Sequence, residues 1–175
     1  MTSRVIGVLT VSALGVALPP RATAQQAGAV EISGFTRYTN FDNSLGMGTG
    51  VGVGGRATVY LKPSLAFELD VGRASSRSIT YTPIHLRAVF DSPVGPRVAA
   101  LVGFGYVRNW YGAPVDESDG GPSVLLGLRY QVSNQLWVRL GSDLDVMFHT
   151  ASGSPFDFYT GNWGLQLGVG MRVRG

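Results

Sequence analysis

The sequence has 175 residues, of which 45% are hydrophobic and 14% are charged; it contains no cysteine and carries a formal net charge of +3. The length suits one domain, and the lack of cysteine excludes disulfides and thiolate metal sites. The charged share lies well below the roughly 25% of ordinary soluble domains. The basic residues are spread along the chain and form no contiguous patch, so we expect no nucleic-acid partner.

The N-terminal segment has the three parts of an export signal. Met1–Arg4 carries a positive charge, Val5–Leu18 is an apolar run, and Ala22-Thr23-Ala24 supplies small residues for cleavage. We therefore predict a signal peptide over residues 1–24 and a mature domain over residues 25–175. The alternative is a transmembrane anchor, but the apolar run is shorter than the ~20 residues that a spanning helix needs.

A two-residue alternation of apolar and polar side chains follows, and it is clearest between residues 136 and 148. One parity is apolar and reads Leu136, Val138, Leu140, Leu144, Val146 and Phe148. The other parity holds every charge of the segment and includes Trp137, Arg139, Asp143, Asp145 and Met147. Successive strand residues point to opposite faces of a sheet, so this segment has one apolar and one charged face.

The same alternation recurs along the chain and predicts eight strands. They are Val30–Tyr38, Gly48–Leu61, Leu65–Ala74, Thr80–Phe90, Arg97–Tyr111, Ser123–Tyr130, Leu136–Phe148 and Trp163–Val173. In a bilayer, a closed sheet needs apolar residues outside and can keep polar residues inside. An Arg on the lipid face at mid-bilayer costs about 2–4 kcal/mol, so the charged parity must face the lumen.

The connectors alternate in length, which indicates the orientation of the sheet. Short connectors are predicted at 62–64, 91–96 and 131–134, and longer ones at 39–47, 112–122 and 150–162; the connector at 75–79 is a modest exception. Short turns face the periplasm in such barrels and longer loops face outward. The sequence therefore predicts an all-β fold, an eight-stranded antiparallel up-and-down transmembrane β-barrel.

The charged parities predict a polar lumen. An eight-stranded barrel has an interior that side chains just fill, and buried charges persist only when they are paired and hydrogen-bonded. We predict an interior network made by Glu31, Arg37, Arg56, Glu68, Asp70, His85, Arg87, Arg129, Arg139, Asp143, Asp145 and Arg172. We expect its role to be structural, and a gated path of low conductance is the alternative.

The mature chain resembles small outer-membrane β-barrels of the OmpA/OmpX-like type. The resemblance rests on the export signal, the eight alternating strands, the Gly-rich stretch Val51–Arg56 and aromatic residues near strand ends. These aromatic residues are Tyr38, Tyr106, Trp110, Tyr130 and Trp163. The resemblance implies a monomer without cofactors that the barrel-assembly machinery inserts into the bacterial outer membrane. It also implies contact with lipid such as lipopolysaccharide, and a non-enzymatic role in envelope integrity or in surface interaction through the outer loops.

Two other functions fit parts of the pattern. A lipid A acyl hydrolase could use His149 as base, Ser152 or Ser154 as nucleophile, and Asp145 or Asp157 to orient the base. The barrel deacylases carry a His-x-Ser pair, which the spacing here does not match, so we expect no catalysis. A lipocalin-like secreted binder would need an apolar lumen and a polar exterior, which is the reverse of the predicted facing.

Charged residues near the outer strand ends are candidates for binding sites. Asp116–Gly121 is acidic but lacks the spacing of a calcium loop, so we predict a solvated outer loop and no metal. Arg73 and Arg108 fall on the lipid-facing parity, and Arg77 lies nearby. We expect these three arginines to contact lipid phosphates, and simple snorkelling of the side chains to the interface is the alternative.

Overall fold

A computed structural model of the chain describes residues 26–41, 47–113, 116, 118–149 and 157–174, without the side chains of 148, 149 and 157–160. The predicted signal peptide lies outside the described residues and stays a prediction. Within the described ranges, no helix is long and apolar enough to cross a membrane.

Eight strands make up the fold. They are β1 Val30–Asn40, β2 Thr49–Lys62, β3 Leu65–Ser76, β4 Ile79–Pro93, β5 Val98–Tyr111, β6 Ser118–Gln131, β7 Leu136–His149 and β8 Asp157–Arg174. Each strand pairs antiparallel with its sequence neighbours, and β1 pairs with β8 to close the barrel. The predicted fold class, an eight-stranded antiparallel up-and-down barrel, is confirmed. Both ends of the described chain lie at one end of the barrel, here called the inner end, together with the three turns 63–64, 94–97 and 132–135.

The side chains alternate between the lumen and the outside along each strand. In β2, Val51 and Val53 are 69% and 65% exposed, whereas Arg56 is 4% exposed. In β7, Leu140 and Leu144 are exposed, whereas Asp143 is buried. The exterior is therefore an apolar belt and the charges are inside, because reversing the facing would put the charges into hydrocarbon.

Two strands begin at least five residues earlier than the sequence indicates, and the outer loops before them are correspondingly shorter. β6 begins at Ser118 rather than Ser123, and β8 begins at Asp157 rather than Trp163. The prediction of a solvated loop over 116–121 is therefore wrong for residues 118–121, which belong to β6. Asp119 lies in β6 and is buried at 6% exposure, because Asn109 and Tyr111 of the neighbouring strand donate hydrogen bonds to its carboxylate.

Glycine on the lumen side makes room for large neighbours. A Cβ at Gly54 would meet Phe35 Cε2 at 2.6 Å, and a Cβ at Gly170 would meet Trp137 Cε2 at 2.6 Å. Both ring systems are buried. A missing side chain on one strand thus lets the neighbouring strand bring an aromatic ring into a barrel that is otherwise too narrow for it.

Candidate functional site: the filled lumen and the outer rim

The lumen is filled in three layers, and its middle layer is a network of ion pairs. Arg56 donates to Asp70 through Nε to Oδ1 at 2.5 Å and through Nη2 to Oδ2 at 3.0 Å. Arg139 holds Glu68 in the same forked way, with Nη1–Oε2 at 2.5 Å and Nη2–Oε1 at 3.1 Å. Arg56 links the two pairs, because its Nε also lies 3.3 Å from Glu68 Oε1. Forked contacts of this kind are the strong form of a charge-assisted hydrogen bond.

Arg87 joins these pairs to the opposite wall. Its Nη1 lies 3.4 Å from Asp70 Oδ2 and its Nη2 lies 2.7 Å from Asp143 Oδ1. Arg37 contacts the other oxygen of Asp143 at 2.8 Å. Gln166 accepts a hydrogen bond from Arg56 and donates one to Asp143. The network therefore spans the barrel from β2 and β3 to β7 and β8.

The charges of the middle layer cancel. Its four arginines and four carboxylates are Arg37, Arg56, Arg87, Arg139, Glu68, Asp70, Asp143 and Asp145. All eight are buried at 4% exposure or less. Neutrality is what a buried cluster requires, since an uncompensated charge in the interior costs several kcal/mol.

His85 and Ser123 share Asp145 in an arrangement that differs from a catalytic triad. His85 Nε2 lies 3.1 Å from Asp145 Oδ2, and Ser123 Oγ donates to Asp145 Oδ1 at 2.6 Å. In a triad, the serine hydroxyl is bound by the histidine rather than by the carboxylate. Both side chains are fully buried. This geometry positions the ring and the hydroxyl but does not activate a nucleophile.

The inner layer is a smaller cluster of the same kind. Arg129 Nη2 lies 2.6 Å from Asp91 Oδ2, and its Nη1 lies 3.4 Å from Glu31 Oε2. Tyr60 donates to Asp91 at 3.0 Å and accepts from Arg129. Arg172 is half-buried beside Glu31, with Nε–Oε1 at 3.9 Å. Two arginines thus face two carboxylates at the end that carries the chain termini.

Between the inner and middle layers, the enclosed space is very small. The cavity bounded by Tyr60, Val89, Leu101, Trp137 and their polar neighbours has a volume of about 10 Å³. Val89, Leu101 and Leu125 form an apolar cluster at the same height. A cavity of this size holds about one water molecule, so the side chains leave no room there for a solute.

The outer layer closes the other end with aromatic rings. Phe41 packs edge-on against Tyr81 at a centroid distance of 4.8 Å, and Tyr81 lies 5.5 Å from Tyr111. Met47 joins this cluster. Asn109 accepts a hydrogen bond from Tyr81 at 3.0 Å, which ties the rings to the polar groups beneath. The lumen is therefore capped on its outer side by packed rings.

The structure brings the predicted network residues together. Eleven of the twelve are buried, and the twelfth, Arg172, is partly buried at the inner end. Several members were absent from the prediction: Tyr60, Asp91, Asn109, Asp119, Ser123 and Gln166. Asp91 continues the inward parity of His85, Arg87 and Val89, which could have identified it, but the prediction ends the fourth strand at Phe90 and places Asp91 in the connector 91–96.

The other predicted sites lie outside the lumen. Arg73 and Arg108 are exposed on the outer wall, and Arg77 is exposed in the turn between β3 and β4 with a φ of 53°. Arg108 donates to Ser118 Oγ at 2.6 Å, and its guanidinium lies 6.0 Å from the Trp110 ring centre. Among the hydrolase candidates, Ser152 and Ser154 lie outside the described residues, as do the side chains of His149 and Asp157.

A closed sheet with an apolar belt outside and charges inside defines a small transmembrane β-barrel. Residues 7–174 match the family model described as outer membrane protein beta-barrel domain, and the chain belongs to this family. Its location is accordingly the bacterial outer membrane. The short turns and both ends of the described chain then face the periplasm, and the opposite end faces outward.

Solved structures share the fold at low sequence identity. OprG from Pseudomonas aeruginosa is 12% identical with a TM-score of 0.63 and covers 87% of this chain and 99% of its own. Neisserial surface protein A is 18% identical with a TM-score of 0.63, covering 85% and 99%. The N-terminal barrel domain of OprF from Pseudomonas aeruginosa is 16% identical with a TM-score of 0.61, also covering 85% and 99%. A search of curated proteins found no match.

Proposed function

We propose that this protein is a non-enzymatic, non-conducting barrel that contributes mechanically to the integrity of the outer membrane. The observation that carries the proposal is the filled lumen. Two neutral clusters of ion pairs and a ring-lined cap occupy it, and the cavity between the inner and middle layers holds only about 10 Å³. A pore would need a continuous water-filled path, as larger barrels have.

The contacts of the middle-layer carboxylates support a role without catalysis. Asp145, a candidate to orient a catalytic His149, is already held by His85 and Ser123. Of the remaining carboxylates in the middle layer, each contacts at least one arginine. These carboxylates are already engaged in contacts that fill the lumen, and this favours a structural role.

Conductance across a planar bilayer tests the closed lumen. The purified, folded protein should give no steady current at moderate voltage, while a general porin in the same bilayer gives stepwise openings. Stable stepwise openings by this protein would overturn the non-conducting role and favour the gated path.

Dye entry into cells tests the role in the envelope. A strain that lacks the protein should take up a hydrophobic dye faster, and both the wild type and His149→Ala should restore the barrier. Mass spectra of lipid A should be the same in all strains. Loss of an acyl chain that depends on His149 would instead establish the hydrolase.

A further inference from the structure

An open pocket on the outer wall lies at the height where lipid headgroups meet the protein. We call it the rim pocket, and it is lined by Arg73, Thr80, Thr82, Trp110, Tyr111, Gly112, Asp116 and Ser118. Its volume is about 510 Å³. These residues come from β3, β4, β5, the connector that follows β5, and β6, so the rigid sheet forms most of its floor.

The β3–β4 pairing is interrupted beside this pocket. In the β3–β4 ladder, Val71 pairs with Ile84 and Ala74 pairs with Tyr81, but the two positions between them are unpaired. Pro83 lies at this gap, and proline has no N–H to donate to a neighbouring strand. By the same register, Arg73 lies across from Thr82, and Thr82 pairs with Trp110 on its other side. Arg73 and Trp110 thus flank one threonine.

The height of the pocket follows from the aromatic residues of β5. Tyr106, Arg108 and Trp110 alternate along the outer face, and the two aromatic side chains are 51% and 43% exposed. Tyrosine and tryptophan form girdles at the membrane–water interfaces of such barrels. Arg108 therefore lies within the outer girdle, where phosphates of the outer leaflet are found.

The two arginines of this face differ from those in the lumen. Neither Arg73 nor Arg108 has a carboxylate within ion-pair distance among the described residues. Arg108 is instead held by Ser118 and stacked near Trp110. The fork of a guanidinium matches phosphate oxygens, and a positioned arginine without an acidic partner is free to bind an anion.

We propose that the rim pocket binds the phosphorylated sugar headgroup of an outer-leaflet glycolipid. Arg73 contacts the phosphate from within the pocket. Arg108, which is hydrogen-bonded to the pocket residue Ser118, contacts it from the edge. Thr80 and Thr82 supply hydroxyl groups to the sugar. The proposal rests on the proposed envelope role and names its lipid partner. Asp116 is an exposed carboxylate on the same wall. It repels the phosphate, so it confines the anion to the arginine side of the pocket.

Binding of lipid A to the folded protein in detergent tests the proposal, with native mass spectrometry as the readout. The probes are lipid A with both phosphates and the same lipid without them. The wild type should retain the phosphorylated form preferentially. Arg73→Ser with Arg108→Ser should lower its retention on the order of tenfold. Arg174→Ser, which removes an exposed arginine at the inner end, should leave retention unchanged.

Two further variants test the shape of the guanidinium group and the charge of Asp116. Replacing both rim arginines by lysine retains the charge but loses the fork, and should give an intermediate loss. Asp116→Asn should strengthen retention about threefold at low salt, as removal of one exposed like charge would. The heat-dependent shift in gel mobility confirms that each variant is folded.

Three results would overturn the proposal: unchanged retention in the double serine variant, equal loss in Arg174→Ser, or displacement of lipid A by millimolar inorganic phosphate. The last would indicate a site for the free anion. Conductance separates this failure from failure of the proposed function, because the closed lumen does not depend on the rim arginines and the double variant should remain non-conducting.

Discussion

Arg87 and Arg108 lie on neighbouring strands of the same sheet, yet they are in opposite environments. Arg87 is 1% exposed and lies near Glu68, Asp70 and Asp143. Arg108 is exposed and bonded to Ser118, with no carboxylate partner among the described residues. The lumen thus uses arginine to neutralise buried acids, and the wall keeps arginine available at the headgroup level. The side of the sheet, rather than the residue type, decides which role an arginine has.

The largest expected effect comes from breaking the neutrality of the lumen. Asp143→Ala removes the carboxylate that Arg37 and Arg87 share, so it should lower the free energy of unfolding by about 3–5 kcal/mol. Urea titration of the protein in lipid vesicles measures this. Arg37→Met with Asp143→Leu removes one charge of each sign and should recover much of the loss. If Asp143→Ala is as stable as the wild type, the ion pairs of Asp143 are not needed for stability.

A charge placed on the lipid-facing exterior should give the next largest loss in the free energy of unfolding. Leu126 is 58% exposed near the middle of β6, and Leu126→Arg should cost about 2–4 kcal/mol in the same titration. Leu136 begins β7 next to the inner turn, so Leu136→Arg should cost only about 0–1 kcal/mol. Equal costs at the two depths would contradict the bilayer-facing belt.

A methyl group tests the two faces of one strand at adjacent positions. Gly54→Ala drives a Cβ into Phe35 and the Val71 carbonyl oxygen, and should cost about 1–3 kcal/mol by overpacking. At Gly55 the nearest atom lies 3.9 Å from the added Cβ, so Gly55→Ala should be neutral. If both variants unfold at the same urea concentration, the lumen around Gly54 is not tightly packed.

The smallest effect concerns a polar contact on the outer wall. Trp163 Nε1 donates to Ser142 Oγ at 3.0 Å, and Ser142→Ala should cost about 0.5–1.5 kcal/mol. Ser92→Ala is the matched control, because this exposed serine makes no side-chain hydrogen bond among the described residues. The measurement is the difference in urea midpoint between the two variants. Equal midpoints would show that this hydrogen bond does not stabilise the barrel.

The central parts of the strands were predictable because one physical rule, the alternation of side chains across a sheet, dominates there. The outer strand ends were not, because Asp119, Gly120 and Gly121 have no apolar parity to mark them as strand. The sequence also could not show which charged residues form ion pairs with each other inside the lumen. Arg139 and Glu68 are 71 residues apart and meet only because the barrel closes. The gap in the β3–β4 pairing beside Pro83 was not predictable either, because the alternation of side chains does not show which residues pair.

The central claim is that alternate residues face lipid and lumen, and the three tryptophans of the chain test it directly. Trp137 is 2% exposed, whereas Trp110 and Trp163 are 43% and 38% exposed. Variants that keep one tryptophan each, with phenylalanine at the other two positions, can be folded into vesicles of brominated lipid. Fluorescence of Trp110 and Trp163 should be strongly quenched and that of Trp137 should be spared. Strong quenching of Trp137, or none of the other two, would contradict the facing of the barrel.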